Sequence, residues 1–130
     1  MYIARGNFDV TAEAEPPFME QDGNRLNHNV VRKDFSGDMT GKSEAHMVAA
    51  YTGTPGSAAY VAIEHFEGSV GRKSGTFILK HSGTMSNGEA ELSVTIVPDS
   101  GTAELKGISG SLEIDSSAGR HTYALSYEQP

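Results

Sequence analysis

Turn-forming residues interrupt this chain at short, nearly regular intervals, and that punctuation limits what the chain can fold into. Clusters that favour tight turns recur along the whole sequence: Asp22-Gly23-Asn24, Ser36-Gly37-Asp38, Pro55-Gly56, Gly71-Arg72, Asn87-Gly88, 98–101 and 116–119. Glycine alone contributes 15 of the 130 residues, and glycine destabilises helix interiors. The pattern excludes a helix bundle or a coiled coil and favours short strands joined by turns.

Eight segments between these turns have the length and composition of β-strands. We predict strands at 3–14, 25–36, 39–52, 58–68, 74–84, 89–98, 102–114 and 120–128. Residues 15–24, which include Pro16-Pro17, are expected to form a connection over one end, with a short helical turn as one option. A chain of 130 residues is about one domain. We therefore expect a single all-β domain over 1–130, an antiparallel barrel or sandwich.

Two-residue loops at Asn87-Gly88, Gly71-Arg72 and Pro55-Gly56 predict the register of three successive hairpins. The third of these registers pairs Tyr51 with Tyr60 and Met47 with Glu64. Because cross-strand partners share a face of the sheet, the three registers agree on one apolar interior, which a shift of one residue would expose. This predicted inner face comprises Ala45, Met47, Ala49, Tyr51, Tyr60, Ala62, Phe66, Phe77, Leu79, Leu92, Val94 and Ile96, with Ala103 and Leu105 added by a loop at Asp99-Ser100.

Glu64 and His81 are the ionisable residues of this face, and the predicted register makes them diagonal neighbours. A carboxylate in an apolar interior is costly unless it is paired. Beside an imidazole it suits acid–base chemistry, or a structural pair that only fixes the interior. Met47, Tyr51 and Tyr60 share the face, so these five residues form the candidate ligand site, with Glu64 and His81 as the catalytic candidates. A small eight-stranded barrel either fills its interior or holds one small ligand.

The opposite face is mostly polar but carries an apolar patch, which we call the outer patch: Val48, Val61, Ile63 and Ile78. Exposed apolar patches usually mark interfaces. We expect a contact between copies of this chain, unless residues 15–24 cover the patch. His46 and His65 are predicted to lie opposite each other on the same face, but a metal site needs more ligands. We expect two solvated histidines and no metal.

Four longer stretches resemble a bacterial family catalogued only as a domain of unknown function. They are 49–53, 60–64, 71–84 and 96–107, and the resemblance extends over nearly the whole chain. The family's acid–glycine pattern matches Glu64 and Gly68, its His-x-Gly pattern matches His81 and Gly83, and its Pro-x-Ser-Gly-Thr turn matches 98–102. The resemblance implies an eight-stranded antiparallel β-barrel, similar to allene oxide cyclase and lipocalin-like in shape. It implies no activity, since no cyclase motif is matched and a fold does not determine function.

Composition disfavours several other classes of protein. The formal net charge is −7, and the chain has no basic stripe of the kind that neutralises nucleic-acid phosphates or binds anionic membranes. It has no cysteine, which excludes disulfides and thiolate metal sites. No apolar run approaches the roughly 18 residues of a membrane helix, and residues 1–10 lack the apolar core of a signal peptide. We expect a cytoplasmic protein without a cofactor.

Three hypotheses about function follow. The first is a binding module that takes a small apolar ligand in the barrel mouth near Glu64 and His81. The second is a cofactor-independent isomerase or cyclase that uses the same two residues. The third is a structural or interaction protein with a filled barrel.

Overall fold

A computed structural model describes residues 1–117 and 119–130. Within these residues, nine strands form one antiparallel sheet that closes on itself. The strands run in the spatial order β1-β9-β8-β7-β6-β5-β4-β3, a pairing between β1 and β3 closes the barrel, and short β2 extends β3. Their bounds are β1 (Tyr2–Ala14), β2 (Met19–Gln21), β3 (Asn24–Gly37), β4 (Met39–Tyr51), β5 (Ala58–Val70), β6 (Lys73–Ser86), β7 (Glu89–Ile96), β8 (Ser109–Asp115) and β9 (His121–Glu128). The predicted eight-stranded antiparallel barrel is confirmed.

Two segments differ from the prediction. Within residues 15–24, β2 and the start of β3 form a hairpin in place of a helical turn, and Asp22 and Gly23 both adopt the positive φ that its tight turn requires. Residues 102–114 are not one strand. A 3₁₀ turn at Ala103–Leu105 precedes β8 and buries Leu105, whereas Ala103 is exposed, so only Leu105 of the two belongs to the interior.

The registers of two hairpins are as predicted, and the third is wrong by two residues. Phe66 pairs with Phe77 between β5 and β6, and Leu79 pairs with Ile96 between β6 and β7. Between β4 and β5, however, Tyr51 pairs with Ala58 instead of Tyr60. Residues 52–57 form a longer loop that is closed by hydrogen bonds from Thr52 Oγ1 and Thr52 N to Ser57 O. The faces are unchanged because an even shift preserves them.

The two ends of the barrel differ. β8 and β9 are short, and β9 pairs with β1 only as far as Phe8. At the end where β9 pairs with β1, aromatic rings fill the interior. Phe35 meets Phe66 edge to face and Phe66 is tilted against Phe77, at centroid distances of 5.3 and 5.0 Å. At the opposite end of the barrel, the longer strands β3–β6 extend beyond β8 and β9, which do not cover them. One end is therefore packed and the other is open.

Candidate functional site

An apolar cavity of about 240 Å³ occupies the open end, and we call it the mouth cavity. Its lining includes Met47, Ala49, Tyr51, Tyr60, Met85 and Leu92 from β4, β5, β6 and β7. These positions point inward by register, yet Tyr51, Met85 and Leu92 remain 38%, 37% and 47% exposed. Large apolar side chains on the inner face of a barrel stay exposed only where nothing covers them. The cavity therefore arises from the difference in strand length.

Gly83 fixes the position of one wall of the mouth cavity. It is the direct cross-strand partner of Tyr60, and a Cβ built on Gly83 would come within 2.4 Å of the Tyr60 ring. Only glycine accepts so close an approach, because any other residue would push the ring away. The close packing of Tyr60 against Gly83 therefore explains why the His-x-Gly pattern has a glycine at this position.

A buried cluster of four polar side chains centres on Glu64, which is fully buried. Lys33 Nζ donates to Glu64 Oε1 at 3.0 Å, and His81 Nε2 donates to the same oxygen at 2.6 Å. Ser43 Oγ donates to Glu64 Oε2 at 2.5 Å. Lys33 Nζ also lies 4.8 Å from the centroid of the Phe8 ring, a cation–π contact. Both carboxylate oxygens are therefore engaged by the protein itself.

The cluster stabilises the charged form of Glu64. Burial by itself would raise the pKa of the carboxyl, but the hydrogen bond from His81, the charge of Lys33 and the hydroxyl of Ser43 outweigh it and lower the pKa to about 2. Burial raises the pKa of the Tyr60 hydroxyl, and so does the negative charge of Glu64. Glu64 is thus an anion at neutral pH, with Lys33 as its counterion.

The five candidate site residues divide into two groups. Met47, Tyr51 and Tyr60 line the mouth cavity, whereas Glu64 and His81 do not. By register, Ala62 pairs with His81 and Glu64 with Leu79, which places both polar residues deeper along the strands than Tyr60. His81 keeps 5% of its surface exposed. A role of Glu64 and His81 in ligand binding stays a prediction.

Lys33 and Ser43 were missed from the sequence, although a signal exists. They pair with each other between β3 and β4, and no register was predicted for this hairpin. The turn at Ser36-Gly37-Asp38 has an odd number of residues. An odd loop places Lys33 on the same face as Ser43 and therefore on the face of Ala45.

Three members of the outer patch are open to solvent. Val48, Val61 and Ile63 are 44%, 58% and 53% exposed. This exposure shows that residues 15–24 do not cover them; β2 pairs with β3 at Asn24, Arg25 and Leu26. Ile78 is half-buried, and its backbone bonds Val97 N and Ser100 Oγ of the segment after β7. A contact between copies of the chain stays a prediction.

The predicted pairing of His46 with His65 is wrong, because the two-residue change in register pairs His46 with Ile63. His46 instead stacks on His28 at a centroid distance of 5.2 Å, with His28 Nε2 and His46 Nδ1 3.1 Å apart. Glu15 and Glu44 bond the outer nitrogens of the pair. In the part of the chain that the structure describes, no cluster of three such side chains is placed to hold a metal ion.

Residues 1–117 and 119–130 contain no helix with the length and hydropathy needed to cross a bilayer.

Comparison with known proteins places this chain in a family. The model of the family described as "Protein of unknown function (DUF3224)" matches residues 4–127. A solved structure of a protein of unknown function from the same family, from Shewanella oneidensis MR-1, is 34% identical and superimposes with a TM-score of 0.94. That alignment covers 100% of this chain and 98% of the other. No curated protein matches the chain. The chain therefore belongs to the DUF3224 family, in agreement with the resemblance read from its sequence.

Proposed function

We propose that this protein binds a small, mostly apolar molecule in its mouth cavity. The observation that carries the proposal is the cavity itself, with inner-face side chains of Tyr51, Met85 and Leu92 that the fold leaves uncovered. Covering these side chains with an apolar ligand removes their surface from water, which is favourable in proportion to the area buried.

The cavity volume limits the size of the ligand. About 240 Å³ exceeds the roughly 150 Å³ that holds one benzene molecule and lies below the roughly 300–1,000 Å³ of drug-sized sites. The expected ligand has one ring or a short chain.

Binding is better supported than acid–base catalysis by Glu64. A general base works best when its pKa lies near the working pH, whereas the pKa of Glu64 is lowered to about 2. Its two oxygens already accept three hydrogen bonds, from Lys33, His81 and Ser43. The cluster is better suited to hold the barrel wall beneath the cavity than to exchange protons with a substrate.

The hypothesis of a structural protein with a filled barrel is supported at one end of the barrel only. The packed end contains Met39, Phe66, Phe77 and Leu79, all fully buried, and this end supplies the core. The open end has no comparable packing, which is why the proposed site is confined to it.

Titration with ethylbenzene tests the proposal. A ligand of this size that contributes about 0.6 kcal/mol per heavy atom binds with a Kd of roughly 0.1–1 mM. Ala58 lines the cavity, and Ala58→Phe fills it and should weaken binding at least tenfold. Ala50→Phe adds the same bulk to the outer face and should leave the Kd unchanged. Absence of saturable binding to the wild-type protein, or equal loss in both variants, would refute the proposal.

A further inference from the structure

We infer that the packed end of the barrel bears a second binding site, which takes a small aromatic carboxylate between the ring pair of Tyr2 and Tyr127 and the hairpin cations Arg72 and Lys73. This site lies at the end opposite the mouth cavity, and its ligand differs in charge. The inference therefore goes beyond the proposed function and does not depend on it.

A second cavity, of about 250 Å³, lies on the outside of the packed end, and we call it the end cavity. Val70 and Leu105, which are 3% and 1% exposed, contribute apolar surface to its lining. Its volume exceeds the roughly 150 Å³ that holds one benzene molecule. The end cavity therefore has room for one aromatic ring.

Two tyrosine rings line the end cavity together. Tyr2 pairs with Tyr127 between β1 and β9, and their ring centroids are 5.5 Å apart. Tyr2 lies two residues from buried Ala4 and hence on the inner face, yet it is 60% exposed. Because aromatic rings pack favourably on one another, this uncovered pair favours a ligand with a ring.

The hairpin between β5 and β6 brings two cations to the same cavity. Lys73 pairs with buried Val70 and shares its face, and Arg72 precedes it in the turn. A Cβ built on Gly71 would lie 4.0 Å from the Tyr127 hydroxyl, which places that hydroxyl beside the hairpin. Burial raises the pKa of Tyr127, so its hydroxyl keeps the proton and can donate to an anion.

The charges of the lining favour an anionic ligand. Among the residues that the structure describes, those lining the end cavity include Arg72 and Lys73 and no carboxylate, in a chain of net charge −7. The ion pairs within the described part of the chain involve neither cation. Asp38 and Glu104 lie next to the hairpin, but the carboxylate of each already accepts a hydrogen bond from a backbone amide. Arginine and lysine bind carboxylates through charge-assisted hydrogen bonds, so a carboxylate suits this lining.

A matched pair of probes tests the inference by amide NMR. Benzoate and benzyl alcohol share the ring and differ in charge. Benzoate should shift the amide signals of 70–73 saturably and bind about fivefold more tightly than benzyl alcohol, because exposed ion pairs contribute modestly. Salt at about 0.3 M should weaken benzoate binding by screening and leave benzyl alcohol unaffected.

Variants locate the site. Arg72→Gln with Lys73→Gln should abolish the preference for benzoate. Lys42→Gln with Lys80→Gln removes the same charge from exposed positions on the outer face and should retain the preference. Ala58→Phe, which fills the mouth cavity, should leave the Kd of benzoate unchanged. Circular dichroism establishes that the variants are folded, and the salt dependence of the wild-type protein tests the inference without them.

The outcomes separate this inference from the proposed function. Equal Kd values for the two probes, or benzoate shifts that leave 70–73 unmoved, would overturn the inference. Equal loss in the two charge variants would show a response to net charge alone, and loss in Ala58→Phe would place benzoate in the mouth cavity; either result overturns it too. If ethylbenzene does not bind but benzoate behaves as expected, the proposed function fails and the end cavity stands as a site.

Discussion

Replacing Glu64 with glutamine should destabilise the protein strongly at neutral pH and progressively less in acid. The substitution preserves the size of the side chain but removes the charge that Lys33 faces at 3.0 Å. Lys33 is 8% exposed, so its ammonium would be left buried without a counterion. Breaking a buried ion pair from one side costs about 3–5 kcal/mol, a large fraction of the 5–15 kcal/mol typical of a domain.

The dependence on pH follows from the lowered pKa of Glu64. The carboxyl titrates near 4.5 when unfolded and near 2 when folded. Each pKa unit corresponds to about 1.4 kcal/mol. The difference between the unfolded and folded pKa values of Glu64 therefore means that its ionised form contributes about 3 kcal/mol to folding. A lowered pKa means that this contribution is complete above pH 4.5 and is lost as the pH falls towards 2. The stability gap between the wild-type protein and Glu64→Gln should therefore narrow by about 3 kcal/mol between pH 5 and pH 2.

Urea unfolding at several pH values measures the gap. Glu67→Gln is the matched control, because Glu67 lies on the same strand but is exposed on the outer face, and it should change stability by less than about 0.5 kcal/mol. Adding Lys33→Met to Glu64→Gln removes the unpaired ammonium and should recover a substantial part of the loss. A gap below about 1 kcal/mol at pH 7, or a gap that does not change with pH, would refute the reasoning.

Three further outcomes are expected. Tyr123→Phe removes the hydroxyl that accepts from the backbone amide at the start of β4 at 2.8 Å and donates to Ser36 O at 2.9 Å. It should cost about 1–3 kcal/mol in urea unfolding, while Tyr127→Phe should cost less. Gly83→Ala should push the Tyr60 ring and weaken ethylbenzene binding, and an unchanged Kd would show that this contact does not shape the cavity. Light scattering should show a dimer or larger for the wild-type protein and a smaller species for Ile63→Lys, and equal monomer masses would exclude a contact through the outer patch.

Local turn chemistry determined how much of the fold was predictable. Asn87-Gly88 takes positive φ at both residues, as the favoured two-residue hairpin turn requires, so the register of β6 and β7 followed from the sequence. Pro55-Gly56 does not have that chemistry. The loop there is set by hydrogen bonds from Thr52 to Ser57, which no dipeptide signal reveals.

The candidate site was predictable to the extent that it depends on the face of a strand. Met47, Tyr51 and Tyr60 lie on the predicted inner face even though their register was wrong, because face depends only on the parity of the loop. The separation of Glu64 from the mouth cavity was not predictable. It depends on the short β8 and β9, which leave only one end of the barrel open, and on Lys33, whose long side chain reaches Glu64 from another hairpin.

Methionine methyl NMR measures ligand binding most directly, because methionines lie at both ends of the barrel. Met47 and Met85 line the mouth cavity, and Met39 is fully buried at the packed end. During titration with ethylbenzene, the methyl signals of Met47 and Met85 should shift and saturate together while the Met39 signal stays in place. Unmoved Met47 and Met85 signals at millimolar ethylbenzene, or equal shifts at Met39, would contradict a binding site at the open end.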